Sequence, residues 1–149
     1  MSWMRVPNRA TCLGDRATEK GTREMGIKET GEQIMGELMG EGYLKSRAAQ
    51  RSDFNSVLQD YSAEVCFGRV WSRPAIDRKT RSIINLAMLV ALNRPNQLRH
   101  HVEGAINNGC SVDELQEIFL QTAVYCGLPA AGEGFKVAED VLRTRGLVQ

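Results

Sequence analysis

The sequence is poor in several features that would announce a function. It has no long hydrophobic run: the longest unbroken apolar stretch, Leu86 to Leu92, is too short to cross a bilayer. Aromatic residues make up only 6% of the chain, too few to build a stacking platform for single-stranded nucleic acid. Neither sign of charge prevails. With 19 basic side chains against 18 acidic ones and a formal net charge of +1, the electrostatic case for binding nucleic acid or an anionic membrane disappears. The N-terminal residues lack the apolar core of a secretory signal, so a soluble, cytoplasmic protein is the expectation. Close cysteine pairs are missing too. The four cysteines stand at 12, 66, 110 and 126, whereas zinc ribbons and dithiol redox sites need two sulfurs converging on one point. They read as reduced, mostly buried thiols.

What is present is helical punctuation. The first 23 residues are polar and without period, and read as a flexible arm preceding a domain over residues 24–149. Ile27, Ile34, Met35, Leu38 and Met39 fit a first helix near 23–39, which Gly40 and Gly42 stop. Ser52 or Asp53 is placed to cap a helix carrying Phe54, Val57, Leu58, Tyr61 and Val65, broken at Arg73-Pro74. Asp77 caps the next. Its body from Ile83 to Leu92 is apolar except at Asn85, a pattern expected in the middle of a bundle. Pro95 opens a helix with Leu98, Val102, Ala105 and Ile106 on its buried stripe, closed by Asn108-Gly109. Ser111 and Glu114 form a capping box before Leu115, Ile118, Phe119, Thr122 and Ala123. After a break at Gly127-Leu128-Pro129, Phe135, Val137, Ala138, Val141 and Leu142 mark a last helix. Nothing alternates like a strand. The fold class is all-α, with five or six helices.

Chemistry-bearing residues are few. His101 lies at the edge of the apolar stripe of its helix, where a half-desolvated imidazole is expected to titrate near neutrality and face a pocket. The alternative is a packed histidine bonded to a carbonyl. His100 points away from the stripe. His100 and Glu103 are three apart, but no second such motif completes a ligand set, so no metal is expected. Arg73, Arg78 and Arg81 flank Trp71 and the apolar helix, an arrangement suited to a small dicarboxylate; equally, Arg81 has the spacing to pair with Asp77. Tyr125 and Cys126 end a helix, at a cleft edge or in the core.

Three stretches, Gly-Arg-Val-Trp-Ser-Arg-Pro (68–74), Ile-Asp-Arg-Lys-Thr-Arg-Ser (76–82) and Leu-Arg-His-His-Val-Glu-Gly-Ala-Ile-Asn-Asn-Gly (98–109), resemble the carboxymuconolactone decarboxylase family. So does the run from Asp113 to Ala131. The likeness is to the γ-carboxymuconolactone decarboxylase branch and covers about residues 50 to 145. It departs from the branch pattern at Phe67, Arg69, Gly132 and Lys136. The resemblance implies an alkylhydroperoxidase D-like helical bundle, assembled as homotrimers or homohexamers. In the redox branch of that superfamily a CxxC precedes the histidine. Aligned on His101, the two thiol positions hold Arg94 and Gln97, which cannot form thiolates.

The implied activity is cofactor-independent decarboxylation of a carboxylated unsaturated lactone, to a β-ketoadipate enol-lactone type of product, in the catabolism of aromatic acids. Such a site must hold the acid group, stabilise charge on the lactone oxygen and deliver a proton to carbon. Since arginine's planar fork suits the first task and an imidazole the second or third, Arg81, with Arg73 and Arg78 beside it, is expected to hold the carboxylate, and His101 to donate the proton or stabilise the oxyanion. Trp71 and Tyr125 would wall the pocket. The alternatives are an antioxidant thiol protein, opposed by the missing CxxC, and a diverged member that acts on another small carboxylated substrate or only binds it.

Overall fold

The computed structural model describes residues 25–149, so the expected N-terminal arm lies outside the described residues. All regular structure in that span is helical, with no strand among the described residues. The elements in order are α1 (Ile27–Met39), α2 (Glu41–Ala49), α3 (Ser56–Tyr61), which runs on without a break as a π-helix (Ser62–Trp71), then α4 (Arg78–Ala91), α5 (Pro95–Asn107), α6 (Val112–Cys126) and α7 (Leu128–Thr144). Seven α-helices replace the expected five or six. The extra one is α2: Gly40 (φ +84) ends α1 at Met39 as expected, and a new helix starts directly at Glu41; α2 itself buries no residue. A helix without a buried stripe leaves no periodic trace in sequence.

Local signals set most boundaries. The Asp77 carboxylate accepts from the Thr80 amide at 2.8 Å and caps α4. Both bonds of the Ser111–Glu114 capping box are formed at the start of α6. Gly127, at φ +89, takes the left-handed conformation that separates α6 from α7. The start of α3 was read too early. Ser52 and Asn55 exchange backbone-to-side-chain bonds around a turn, so the helix begins at Ser56 with Asn55 as its cap.

Two apolar clusters hold these elements. The larger one packs α4 to α7 through Leu86, Val90, Leu98, Val102, Phe119 and Val141, among others. The smaller one joins α1 to the π-helix through Ile34, Met35, Leu38, Phe67 and Trp71, with Phe67 and Trp71 stacked at 5.8 Å. In this second unit the backbones themselves touch: a Cβ on Gly31 would meet the Ala63 carbonyl oxygen at 1.9 Å. Helix α5 bridges the clusters, Asn107 Nδ2 donating to the Leu38 carbonyl at 2.8 Å.

Two expectations about burial fail. Helix α4 is not central: Ser82, Leu86 and Val90 are buried, but Ile84, Met88 and Leu92 on other faces are exposed. The stripe of Phe54, Val57, Leu58 and Tyr61 is also at the surface, because no other helix among the described residues lies over it. The cysteines split. Cys110 is buried, and burial pushes its thiol up, while Cys66 and Cys126 are exposed; all three are free, and Cys12 lies outside the described residues. "Mostly buried" was therefore wrong, since Cys66 and Cys126 occupy outer helix faces.

Candidate active site

The site is built on the antiparallel pair α4 and α5. Their connection is tight: Asn93 takes a positive φ of 51°, and the Arg94 amide donates to the Leu89 carbonyl at 3.0 Å. The register is pinned at the far end of the pair, where Asn108 Nδ2 donates to Ser82 Oγ at 2.9 Å and Ser82 Oγ donates to the Arg78 carbonyl at 3.1 Å. On α4, Arg78, Arg81, Ser82 and Asn85 follow the i, i+3, i+4, i+7 rhythm, so they make one polar stripe along a helix whose body from Ile83 onward is otherwise apolar. On α5, His101 precedes Asn108 by seven residues, close to two full turns, and lies on the same face. Asn108 was read only as a helix terminator. Its role as a tie to Ser82 was signalled by that seven-residue spacing, together with a serine inside an apolar helix.

His101 is half-buried at the edge of the stripe made by Leu98, Val102 and Ala105, as its spacing implied. Among the described residues it has no hydrogen-bond partner, and no buried side-chain nitrogen or oxygen is left unpartnered. Its ring nitrogens therefore keep some exposure and the carbonyl-bonded alternative does not hold, although the ring is largely packed and lines neither of the clefts described below. Its titration differs from expectation. Burial holds the imidazole down at about 4 against an ordinary 6.5, and the charge of His100 pushes weakly the same way. The ring is neutral at pH 7. His100 is exposed and packs edge-on against Tyr43 at 5.0 Å, on a different cleft of about 530 Å³ shared by α2 and α5.

The arginines sort themselves by partner. A cleft of about 410 Å³ between α1 and the loop before α4 is lined by Trp71, Arg73 and Arg78 together with Glu37. Arg78 is engaged, with Nη1 2.6 Å from Glu37 Oε2. The pair holds the Glu37 carboxyl below its ordinary value. Arg81 does not pair with Asp77 as the spacing allowed. It donates from Nε to the Ile76 carbonyl and from Nη2 to the Arg73 carbonyl, both at 3.2 Å, so it clamps the loop that carries Arg73. Arg73 is exposed and makes no side-chain bond among the described residues. Trp71 is buried beneath this cleft.

The structure thus gathers Trp71, Arg73 and Arg78 directly and joins Arg81 to them through the loop. His101 is not on the wall of that cleft but one helix over, reached by the chain Arg78–Ser82–Asn108. Tyr125 is not brought to the cleft at all: it is 78% exposed at the end of α6. Among the described residues no three His, Cys, Asp or Glu side chains gather into a metal-ligand set, and no helix is long and apolar enough to cross a membrane.

The model of the carboxymuconolactone decarboxylase family matches residues 57–140, from α3 through most of α7. The chain belongs to this family. The matched span contains the whole α4–α5 pair, the clamped loop and His101. The chain is 37% identical over 117 residues to the 4-carboxymuconolactone decarboxylase of Acinetobacter baylyi, an alignment covering 78% of this chain and 87% of that one. It is 32% identical over 114 residues to the nitrosuccinic acid decarboxylase npaB of Metarhizium robertsii, covering 76% and 80%. A 15.0 kDa protein of uncharacterised function from Paracoccus denitrificans matches at 32% over 81 residues, covering 52% of this chain. With decarboxylases as its relatives, this member of the family is a carboxymuconolactone decarboxylase-like enzyme, a carboxy-lyase.

Proposed function

We infer that the helical domain, residues 24–149, decarboxylates a small carboxylated acid whose released electron pair drains into a neighbouring oxygen, a carboxylated unsaturated lactone first of all. The two named relatives act on chemically different acids, and the shared demand is on the carbanion. In carboxymuconolactone it delocalises into an unsaturated ester; in nitrosuccinic acid it delocalises into a nitro group. Both end as an anion with charge on oxygen, so a site serving this chemistry is a receptor for a planar oxyanion attached to a carboxylate.

The observation that carries this reading is the state of His101. A neutral imidazole whose nitrogens keep some exposure donates one N–H to an oxygen gaining charge, which stabilises the transition state without first having to be charged itself. Of the two roles considered for it, oxyanion stabilisation fits and proton donation from an imidazolium does not. The proposed step breaks the bond to the carboxylate, releases CO2 and moves the electron pair through the conjugated system to the lactone oxygen opposite His101. A proton from water then closes the carbon. Arg73, its fork unengaged and its loop held by Arg81, is the proposed partner of the substrate carboxylate; because His101 does not line the Arg73 cleft of its own chain, the two are proposed to meet one substrate only across a contact between subunits. Trp71 floors the cleft. We further propose that the enzyme works without a cofactor, in the cytoplasm, as a homotrimer or homohexamer.

The test is direct. Purified protein is incubated with γ-carboxymuconolactone and, separately, with 2-nitrosuccinate, and CO2 release is followed. Turnover of the lactone that falls at least a hundredfold in a folded His101→Ala variant supports the proposal. Release of CO2 from neither acid overturns it, and turnover unchanged by His101→Ala overturns the role given to the ring.

A further inference from the structure

The cleft that holds Arg73 carries an anion of its own. Glu37 lines it from α1, and both of its carboxylate oxygens are occupied. Oε2 is paired with Arg78 Nη1 at 2.6 Å, and Oε1 accepts from Gln33 Nε2 at 2.9 Å. These bonds hold the carboxyl below its ordinary value, so it is charged at neutral pH. Asp77, the other acid of the cleft, is spent on the first turn of α4, where it accepts from the Thr80 amide and hydroxyl at 2.8 Å each. Of the two arginines in the cleft, Arg78 is therefore neutralised, and among the described residues only Arg73 keeps an open fork. Folding does not account for the Glu37–Arg78 pair. Its side chains are 42% and 44% exposed, and an ion pair that open contributes little to stability.

We propose that Glu37 determines specificity by filling the second carboxylate seat of this cleft, so that Arg73 holds the carboxylate a substrate keeps and no arginine holds the one it loses. The inference rests on the decarboxylation proposed above and says which end of the substrate the cleft grips. Both acids of that assay are dicarboxylates: one group leaves as CO2 and the other stays in the product. As the C–C bond to the departing group breaks, its electron pair passes through the conjugated system to oxygen. CO2 leaves uncharged, and water protonates the carbon, leaving hydroxide. An arginine paired with the departing carboxylate loses its ion pair on the way to the transition state, because the charge it grips moves away. Such a bond tightens ground-state binding and slows the reaction. A pair to the retained carboxylate persists from substrate to product, and so holds and orients without that penalty. Arg78 lines the same cleft as Arg73, and without its partner it would offer the departing group that grip. Glu37 withholds it.

The test uses the full chain and two unreactive acids of equal length, butyrate with one carboxylate and succinate with two, their binding read by NMR titration. The unsubstituted protein should bind both with affinities within about twofold of each other, and Arg73→Ala should weaken both at least about tenfold. Glu37→Gln keeps the shape of the side chain and removes its charge. It should tighten succinate at least about tenfold and leave butyrate within about twofold. Adding Arg78→Ala to Glu37→Gln should return succinate to the affinity of the parent. With γ-carboxymuconolactone as substrate, Glu37→Gln should lower KM at least about fivefold and also lower kcat at least about tenfold, a split that a merely structural role would not produce. Succinate binding indifferent to Glu37→Gln overturns the proposal, and so does a raised KM with kcat unchanged. A lactone that is not turned over by any form of the protein overturns the decarboxylation reading instead, and the two titrations still decide whether Glu37 fills a seat.

Discussion

Asn108 and Ser82 hold α5 against α4 through a part-buried bond of 2.9 Å, and that bond sets the height of His101 along α4. Ser82 is fully buried, and its hydroxyl is used twice, accepting from Asn108 and donating to the Arg78 carbonyl. Replacing it by alanine leaves Asn108 Nδ2 with only the Arg78 carbonyl at 3.4 Å. We expect Ser82→Ala to lower stability by about 1–2 kcal/mol in urea denaturation, the cost of a part-buried donor losing its acceptor. Because the bond positions His101 without touching substrate, kcat should fall severalfold while KM stays nearly constant. A shift in KM alone would show that the pair shapes binding instead.

The glycines give a contrast in sign. At Gly31 an added methyl meets backbone, the Ala63 carbonyl oxygen at 1.9 Å and the Gly68 amide nitrogen at 2.8 Å, and neither can move without parting α1 from the π-helix. Gly31→Ala should cost at least about 3 kcal/mol. Gly132, inside α7, has nothing within 4 Å of the same methyl. Gly132→Ala should stabilise by about 1 kcal/mol, since a mid-helix alanine loses less backbone freedom on folding. Thermal melts of the two variants, read side by side, check both directions.

Most of the second half of the fold was legible because its signals are local. The Asp77 cap, Pro95, the Ser111–Glu114 box and Gly127 each act within four residues, and the structure uses all of them. The first half was harder to read. Helix α2 hides behind Gly40 and Gly42 because it buries nothing, and apolar periodicity at Phe54–Tyr61 says only that a face wants covering, not that the same chain covers it. At the site, the position of His101 on its helix followed from the spacing of Leu98, Val102 and Ala105. Its titration did not, because desolvation depends on how closely neighbouring helices approach. The arginines likewise looked equivalent in sequence. Only the packing against α1 and the curl of residues 73–76 decide that Arg78 meets Glu37, Arg81 meets carbonyls and Arg73 meets no side-chain partner.

That division predicts different kinetics for two neighbouring arginines. Arg73→Ala removes an exposed, unengaged fork and should leave stability within about 0.5 kcal/mol of the parent. If it holds the carboxylate, KM rises at least tenfold. Arg81→Ala frees the 73–76 loop and should lower stability by about 1 kcal/mol as well as activity. Arg81→Lys should not rescue it, because one ammonium cannot reproduce two bonds made from one planar fork. Steady-state kinetics and urea titration of the three variants distinguish substrate holding from loop holding.

The desolvated ring of His101 makes stability depend on pH in a defined window. In the unfolded chain the imidazole takes up a proton near 6.5; in the folded chain it resists until about 4. Between those values the unfolded state binds more protons, so acidification favours unfolding, and the stability contributed by the neutral ring is present in full above 6.5 and lost as pH falls to about 4. The loss should be on the order of 3 kcal/mol. The carboxylates held by partners begin to contribute lower: Glu37 and Glu114 sit below their ordinary 4.5, Asp77 lies below its ordinary 3.8, and Asp60 is at about 2. From pH 6.5 down to about 5 the decline therefore belongs mainly to His101. Urea midpoints of the parent should fall across that interval, and those of His101→Asn should stay nearly level. Over pH 5.5 to 8 the ring does not change charge, so kcat should show no step from it. Parallel stability curves for parent and variant would mean that the imidazole is fully solvated, and the oxyanion role would lose its physical basis.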